Sequence, residues 1–232
     1  MSSGNNIFET LFKQQATVNK LVLDGKRDPE EVSQTFQAII AGKRLVEATP
    51  TLQEMLADWA NFYKEVYGLE LDFSGITIPD RKPGFDRLLV IAQGMTPQRL
   101  FDKCKELFPS VKYTDRNLDE IIESDRTSKD GHYAIWIRDR VEADGENKNL
   151  SADDLKKRGS AEITFEERTL YELKFFKETS DHPDKKNWTL CPGSRYSDGV
   201  VPLARWRVGR FEVDWSGTDS LRDDLRSRSV VS

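Results

Sequence analysis

Thiol and imidazole chemistry in this chain rests on four residues: Cys104, Cys191, His132 and His182. A Cys/His nucleophile needs an imidazole placed to take the thiol proton, and the signatures of such sites are local in sequence. None surrounds Cys104 or His132. Cys104 falls on the apolar stripe of a predicted helix, the place of a buried structural thiol. His132 follows Gly131 and His182 precedes Pro183, so both are expected in surface loops. A structural zinc takes four Cys or His ligands at short spacing, and these four are scattered, so no metal is expected. Gly25-Lys-Arg and Gly42-Lys-Arg resemble phosphate grips without the surrounding P-loop or dinucleotide pattern. They fall at predicted helix ends, where basic side chains meet the negative end of the dipole. Asp153-Asp154 and Glu166-Glu167 open predicted helices, where carboxylates face free N–H groups. Asp198, Asp214, Asp219, Asp223 and Asp224 offer oxygen ligands, but not at EF-hand spacing. No catalytic residue and no cofactor follow from these groups, so the chain is expected to bind rather than to transform.

The elements that would position such groups are those of a well-solvated protein. The 232 residues are 37% hydrophobic and 32% charged, with a net charge of −5. That balance lacks the basic excess of a general nucleic-acid binder. No apolar run reaches membrane-spanning length and no signal peptide is visible, so a cytoplasmic globular protein is expected. Length alone suggests one or two domains.

Residues 1–71 read as a helical module. Ile7, Leu11, Val18, Leu21 and Leu23 keep a helical rhythm, and Asp28-Pro29 is an N-cap followed by proline at the first helical position. Gly42 is a stop and Thr49-Pro50 a second start. Leu52, Leu56, Trp59, Tyr63 and Val66 then form one stripe ending at Gly68, which would favour self-association through this module. Residues 72–84, punctuated by Gly and Pro, read as a linker. A mixed α+β domain is expected over 85–232. It has strands at 88–92, 111–113 and 133–137, a helix from Thr96 with Leu100, Phe101, Cys104, Leu107 and Phe108 inward, and a short helix at 118–123. Two further helices carry capping-box spacing at Ser151/Asp154 and Thr164/Glu167.

The tail is β-rich and its alphabet is skewed. Residues 187–232 contain none of the chain's 17 lysines, which an even scatter would produce only about one time in forty. The tail also lacks His, Gln, Met and Ile. Ala204, Trp206 and Val208 alternate with Leu203, Arg205 and Arg207. After Gly209, Phe211, Val213 and Trp215 alternate with Arg210, Glu212 and Asp214. This predicts a hairpin with one aromatic buried face, including Trp206 and Trp215, and one charged solvent face. A final strand is expected over 226–231.

The run 189–202 (TLCPGSRYSDGVVP), the two Trp-ended strands and 225–232 (LRSRSVVS) carry a resemblance, together with 142–144 (EAD), 150–155 (LSADDL) and 171–179 (YELKFFKET). They resemble bacterial proteins whose tail differs from member to member at interspersed positions. That habit is similar to the variable proteins of diversity-generating retroelements. The resemblance implies a C-type-lectin-like domain whose C-terminal region, 193–232, displays hypervariable residues rewritten through adenines of the coding template. Asparagine codons altered at both adenines never yield Lys, Gln, Glu, Met or Trp. The positions so implicated in ligand binding are Tyr196, Val200, Leu203, Arg205, Arg207, Val208, Asp214, Ser216, Gly217, Ser220, Arg222 and Asp224. Trp206, Trp215 and Glu212 would be fixed scaffold. The resemblance then implies that the Tyr133 strand lies near the C-terminal strand, with the helices of residues 151–179 packed on the sheet.

The expected function is non-enzymatic ligand binding, with a protein or other macromolecule as partner and neither nucleic acid nor membrane. The alternative is a small cytoplasmic enzyme or a nucleic-acid-associated regulator using the helical N-terminus.

Overall fold

A computed structural model describes residues 4–41 and 50–232. Among these are two compact units, with the division at Thr51/Leu52. The first unit holds α1 (Gly4–Leu23) and α2 (Pro29–Ile40). Asp28 Oδ1 accepts from Glu30 N at 2.8 Å and Glu31 N at 3.0 Å, and Pro29 occupies the first turn, as the sequence predicts. Gly25 takes φ +67° in the turn between the helices, a conformation open to glycine. Val18, Leu21, Val22, Val32 and Phe36 are half-buried. The expected stop at Gly42, its Lys-Arg pair, the start at Thr49 and the side chain of Ile7 lie outside the described residues.

The third helix, α3 (Leu52–Tyr67), does not complete a helical module. Trp59 Nε1 donates to Leu88 O at 3.1 Å, and Tyr63 Oη donates to Val90 O at 2.8 Å while accepting from Ala92 N at 3.0 Å. The expected boundary at residue 71 therefore moves to residue 51, and the stretch 72–84 runs inside the second unit. The stripe of Trp59 and Tyr63 is buried core rather than a free face.

The second unit is α+β. After α3 come β1 (Arg87–Ile91), α4 (Pro97–Leu107) and β2 (Ser110–Lys112). A 3₁₀ turn at Leu118–Glu120 leads into β3 (Ile122–Ser124), so the short helix expected at 118–123 is half turn and half strand. β4 (Tyr133–Ile137), α5 (Ala152–Arg158) and α6 (Phe165–Thr179) follow. Both predicted capping boxes form: Ser151 with Asp154, and Thr164 with Glu167. The tail supplies β5 (Trp188–Leu190), β6 (Ser194–Tyr196), β7 (Val201–Arg207), β8 (Arg210–Ser216) and β9 (Leu225–Ser227). One sheet has the order β2-β8-β7-β5-β9, and β1-β4 and β3-β6 form two smaller pairs. Trp136 in β4 exchanges backbone hydrogen bonds with Val231, both 2.9 Å, so the 133–137 strand does meet the C-terminal segment.

Helix α6 is the centre of the unit. Every side chain from Phe165 through Phe175 is buried, including Glu166, Glu167, Arg168, Glu172 and Lys174. Charges at such depth persist only when paired. Arg168 pairs with Glu172 at 2.9 Å and with Asp184 at 2.8 Å, and Arg228 pairs with Asp184 at 2.7 Å. Burial opposes the charge on Arg168, but Asp184 and Glu172 more than offset it and hold its pKa above the ordinary value. Removing one member of a buried set strands the others, at a cost of about 3–5 kcal/mol. Asp184→Asn should show a loss of this size in equilibrium denaturation; a loss below about 1 kcal/mol would mean that the two guanidinium groups are satisfied elsewhere.

Candidate recognition surface

The tail hairpin forms for local reasons. Seven-residue strands β7 and β8 pair antiparallel, with Arg207 opposite Arg210 and a two-residue turn of Val208 and Gly209. Both turn residues have positive φ, +50° at Val208 and +74° at Gly209, the twist that suits a tight hairpin.

Ala204, Trp206, Phe211 and Val213 point to the main core, as the alternation predicts. Trp206 stacks on His182 with ring centroids 3.3 Å apart and planes 2° from parallel. His182 is therefore not a surface residue. It is buried, and its Nδ1 meets Glu172 Oε1 at 2.7 Å, a carboxylate ten positions earlier that local sequence does not reveal. His132 is half-buried, its Nδ1 accepting from Gln93 N at 2.8 Å and its ring against Phe73. Cys104 is buried as expected, and burial pushes its thiol pKa well up. Leu107, expected inward on the same helix, is exposed.

Two expectations for the hairpin are corrected. Trp215 shares the parity of Phe211 and Val213, yet it is 48% exposed; β2 flanks β8 only over 211–213 and does not reach it. The opposite face is not simply charged and free. Val201 and Leu203 join Trp188, Leu190, Leu225 and Ala152 in a second apolar cluster, so this end of the sheet is covered on both faces. Leu203, expected as a display position, is buried for that reason, and Ser216, expected as another, is buried as well. Tyr196 is buried too, 3% exposed with its ring 5.2 Å from that of Tyr113.

The positions that remain reachable divide into groups. Arg207, Val208 and Arg222 are exposed, while Val200, Asp214, Gly217, Ser220 and Asp224 are half-exposed. Val200 packs against the main core beside Tyr196 and lies apart from the rest. Arg205 is the pivot of the charged group: its guanidinium carbon lies 4.0 Å from the ring centroid of Trp188, and its side chain is only 10% exposed. Glu212 and Asp224 approach it to 3.7 and 3.9 Å. Asp224 is held by Arg222 through two hydrogen bonds of 3.0 and 2.9 Å, and Glu212 by Arg210 at 2.8 Å. Arg210 and Glu212 belong to the charged face that the alternation predicts, but Trp188 as its support and the pairing of Arg205 with Glu212 do not show in the sequence. The cross-strand register, which sets Arg205 opposite Glu212, is what joins them.

A separate cavity of about 420 Å³ is lined by Thr96, Asp119, Glu120, Glu123, Ser124, Lys129 and Glu166, among others. Asp119 is committed to α4, accepting from Gln98 N at 2.7 Å and Thr96 Oγ1 at 2.8 Å. Ser124 Oγ donates to Glu166 Oε2 at 2.7 Å. Ser194 Oγ, 2.6 Å from Ser124 Oγ, therefore donates to it while accepting from Phe165 N at 2.8 Å. Burial, against the pull of the Ser124 bond, pushes the Glu166 carboxyl up to about 7. Among the described residues no group of three or more His, Cys, Asp or Glu is placed to hold a metal, and no helix is long and apolar enough to cross a membrane. No family model matches the chain, and no curated protein or solved structure is significantly similar to it.

Two outcomes follow from these placements. Trp215→Ala should cost less than about 1 kcal/mol, whereas Phe211→Ala should cost about 3–5 kcal/mol in the same denaturation series, the range for a deleted buried aromatic. Equal losses would restore Trp215 to the core. Glu166 has a folded pKa above its unfolded value, so the native state binds the extra proton. Its contribution is fully present below about pH 4.5 and is lost as pH rises to about 7. Glu166→Gln should therefore gain stability relative to the wild type across that window, by an amount on the order of 3 kcal/mol. A stability difference between the two proteins that stays flat from about pH 4 to about pH 8 would refute the assignment.

Proposed function

We propose that this chain is a non-enzymatic binding protein whose tail presents a diversified recognition surface, on a scaffold of C-type-lectin-like kind. The observation that carries the reading is Val208. It is 85% exposed at the hairpin tip with φ +50°. A β-branched residue is poorly suited to that conformation, and the two-residue turn strongly favours Asn before Gly. Val208 has no core contact to explain its presence, so folding alone would not select it. An asparagine codon rewritten at both adenines yields valine, which accounts for a residue that the turn itself disfavours. The exposed residues Arg207 and Arg222 and the half-exposed Asp214, Gly217, Ser220 and Asp224 are compatible with the same origin. Buried Tyr196, Leu203 and Ser216 are better read as framework, and Arg205 as a nearly covered residue with one functional edge.

The hairpin itself gives a test. A left-handed L-residue costs about 1–2 kcal/mol, least for Asn. Val208→Asn should thus raise stability by about 1 kcal/mol in denaturant unfolding, and an unchanged or lower midpoint would show that the valine is structurally preferred. The reading as a whole is decided on the flanking DNA. It requires a reverse-transcriptase gene and a second copy of the tail's coding sequence that differs mainly at adenines, with asparagine codons at the exposed positions. Absence of both would remove it.

A further inference from the structure

We propose that the hairpin face around Arg205 and Arg207 seats an acidic protein segment: an extended stretch with two carboxylates at alternate positions. This deepens the recognition reading and rests on it. The guanidinium carbon of Arg205 sits over the Trp188 ring, 4.0 Å from its centroid, which restrains the side chain. Its two nearest carboxylates, at 3.7 and 3.9 Å, are beyond hydrogen-bonding reach and are already bonded by Arg210 and Arg222. Arg205 Nε and the neighbouring Trp188 Nε1 are both buried with no hydrogen-bond acceptor. These two atoms are out of a ligand's reach, but the Nη atoms of Arg205 are not buried and make no hydrogen bond among the described residues, so they are the edge that a carboxylate can meet.

Arg207 supplies the second point. Its side chain is exposed, forms no ion pair or hydrogen bond among the described residues, and stands directly across from Arg210. Like charges placed opposite one another favour an anion between or above them. Arg205 and Arg207 are two residues apart on one strand face, so they repeat at about 6.5–7 Å. Carboxylates two residues apart in an extended partner have the same repeat, and the guanidinium fork fits a carboxylate through two parallel bonds. Because Trp188 already orders Arg205, less freedom is lost on binding. Nucleic acid fits less well: the proposed contact needs only two carboxylates, and a chain of net charge −5 has no basic excess to hold a long polyanion.

The experiment is fluorescence anisotropy with the full chain and three labelled probes. These are a peptide of alternating glutamate and threonine, the same peptide with glutamine for glutamate, and a single-stranded oligothymidylate of equal charge. The glutamate peptide should bind at millimolar concentration or below and weaken as salt rises. Arg207→Gln should weaken it about tenfold, the effect of losing one charged hydrogen-bonding partner. That side chain is exposed, so the melting curve should not move. Arg205→Gln combined with Arg207→Gln should abolish binding. Equal binding of the glutamine peptide, tighter binding of the oligonucleotide, no binding of any probe, or wild-type affinity in Arg207→Gln would each overturn the proposal. These outcomes are independent of the flanking DNA. A diversified tail without glutamate binding removes only the acidic seat, and glutamate binding without a retroelement removes only the diversification.

Discussion

Asp184 is the constraint on which the second unit depends. Its Oδ1 accepts from Ala143 N at 2.8 Å and from Arg228 Nη2 at 2.7 Å. Its Oδ2 accepts from Thr189 Oγ1 at 2.5 Å and meets Arg168 Nε at 2.8 Å. One carboxylate thus ties the loop after β4, the central helix, the first tail strand and the C-terminal segment. The residue adopts φ +56°, a conformation that Asp tolerates better than most. An isolated carboxylate at zero exposure would neutralise, but here two guanidinium groups and two neutral donors replace its hydration. Such a set contributes little net stability over an apolar equivalent. What it adds is geometry, since four segments must arrive together for any of them to be satisfied.

The same logic explains how a helix as polar as α6 becomes the core. Glu167 receives Arg126 through bonds of 2.8 and 2.9 Å, and Lys174 reaches Asp58 at 2.5 Å while lying over the rings of Trp59 and Phe62. Glu172 holds His182 as well as Arg168, and His182 in turn stacks on Trp206. The inner face of the hairpin is therefore positioned from α6 outward, by a chain of pairings that ends at Trp206. From below, Arg228 donates to Arg140 O and Val141 O, and Ser229 N donates to Asp144 Oδ2. The base of the tail is fixed on both sides, while Arg207, Val208 and Gly209 at the tip belong to none of these networks.

Much of this was legible locally. Caps at Asp28, Thr96, Ser151 and Thr164, the strands at 88–92 and 133–137, and the hairpin with its inward Ala204, Trp206, Phe211 and Val213 are written in turn chemistry and period-two alternation. Failures arose where partners are distant in sequence. Trp59 and Tyr63 read as one stripe of a helical module, but their polar atoms bond strand carbonyls 27 and 29 residues away. His182 looked solvent-facing because its carboxylate partner sits on the preceding helix. Leu203 looked like a display position because alternation assigns one face to solvent, whereas α5 and β9 supply a second cover through Ala152 and Leu225. Gly193 carries no sequence signal of its role. A Cβ there would come within 2.6 Å of Glu162 O, so it is a packing requirement that composition cannot express.

Double coverage at the base of the hairpin limits what the recognition surface can be. Residues buried on both faces cannot change without opening a cavity or overfilling one, so the proposed variation would be confined to the distal part of β7, the turn, and the stretch from Gly217 to Asp224. A surface that small cannot gain affinity from area alone. It must rely on a few well-held groups, and the one side chain there that is pre-ordered by stacking is Arg205 on Trp188. If the neighbours vary as proposed, a rigid anchor beside them lets them choose among partners while the anchor sets the chemistry they share. On the proposed reading, arginine in that place would select for acids whatever its neighbours became.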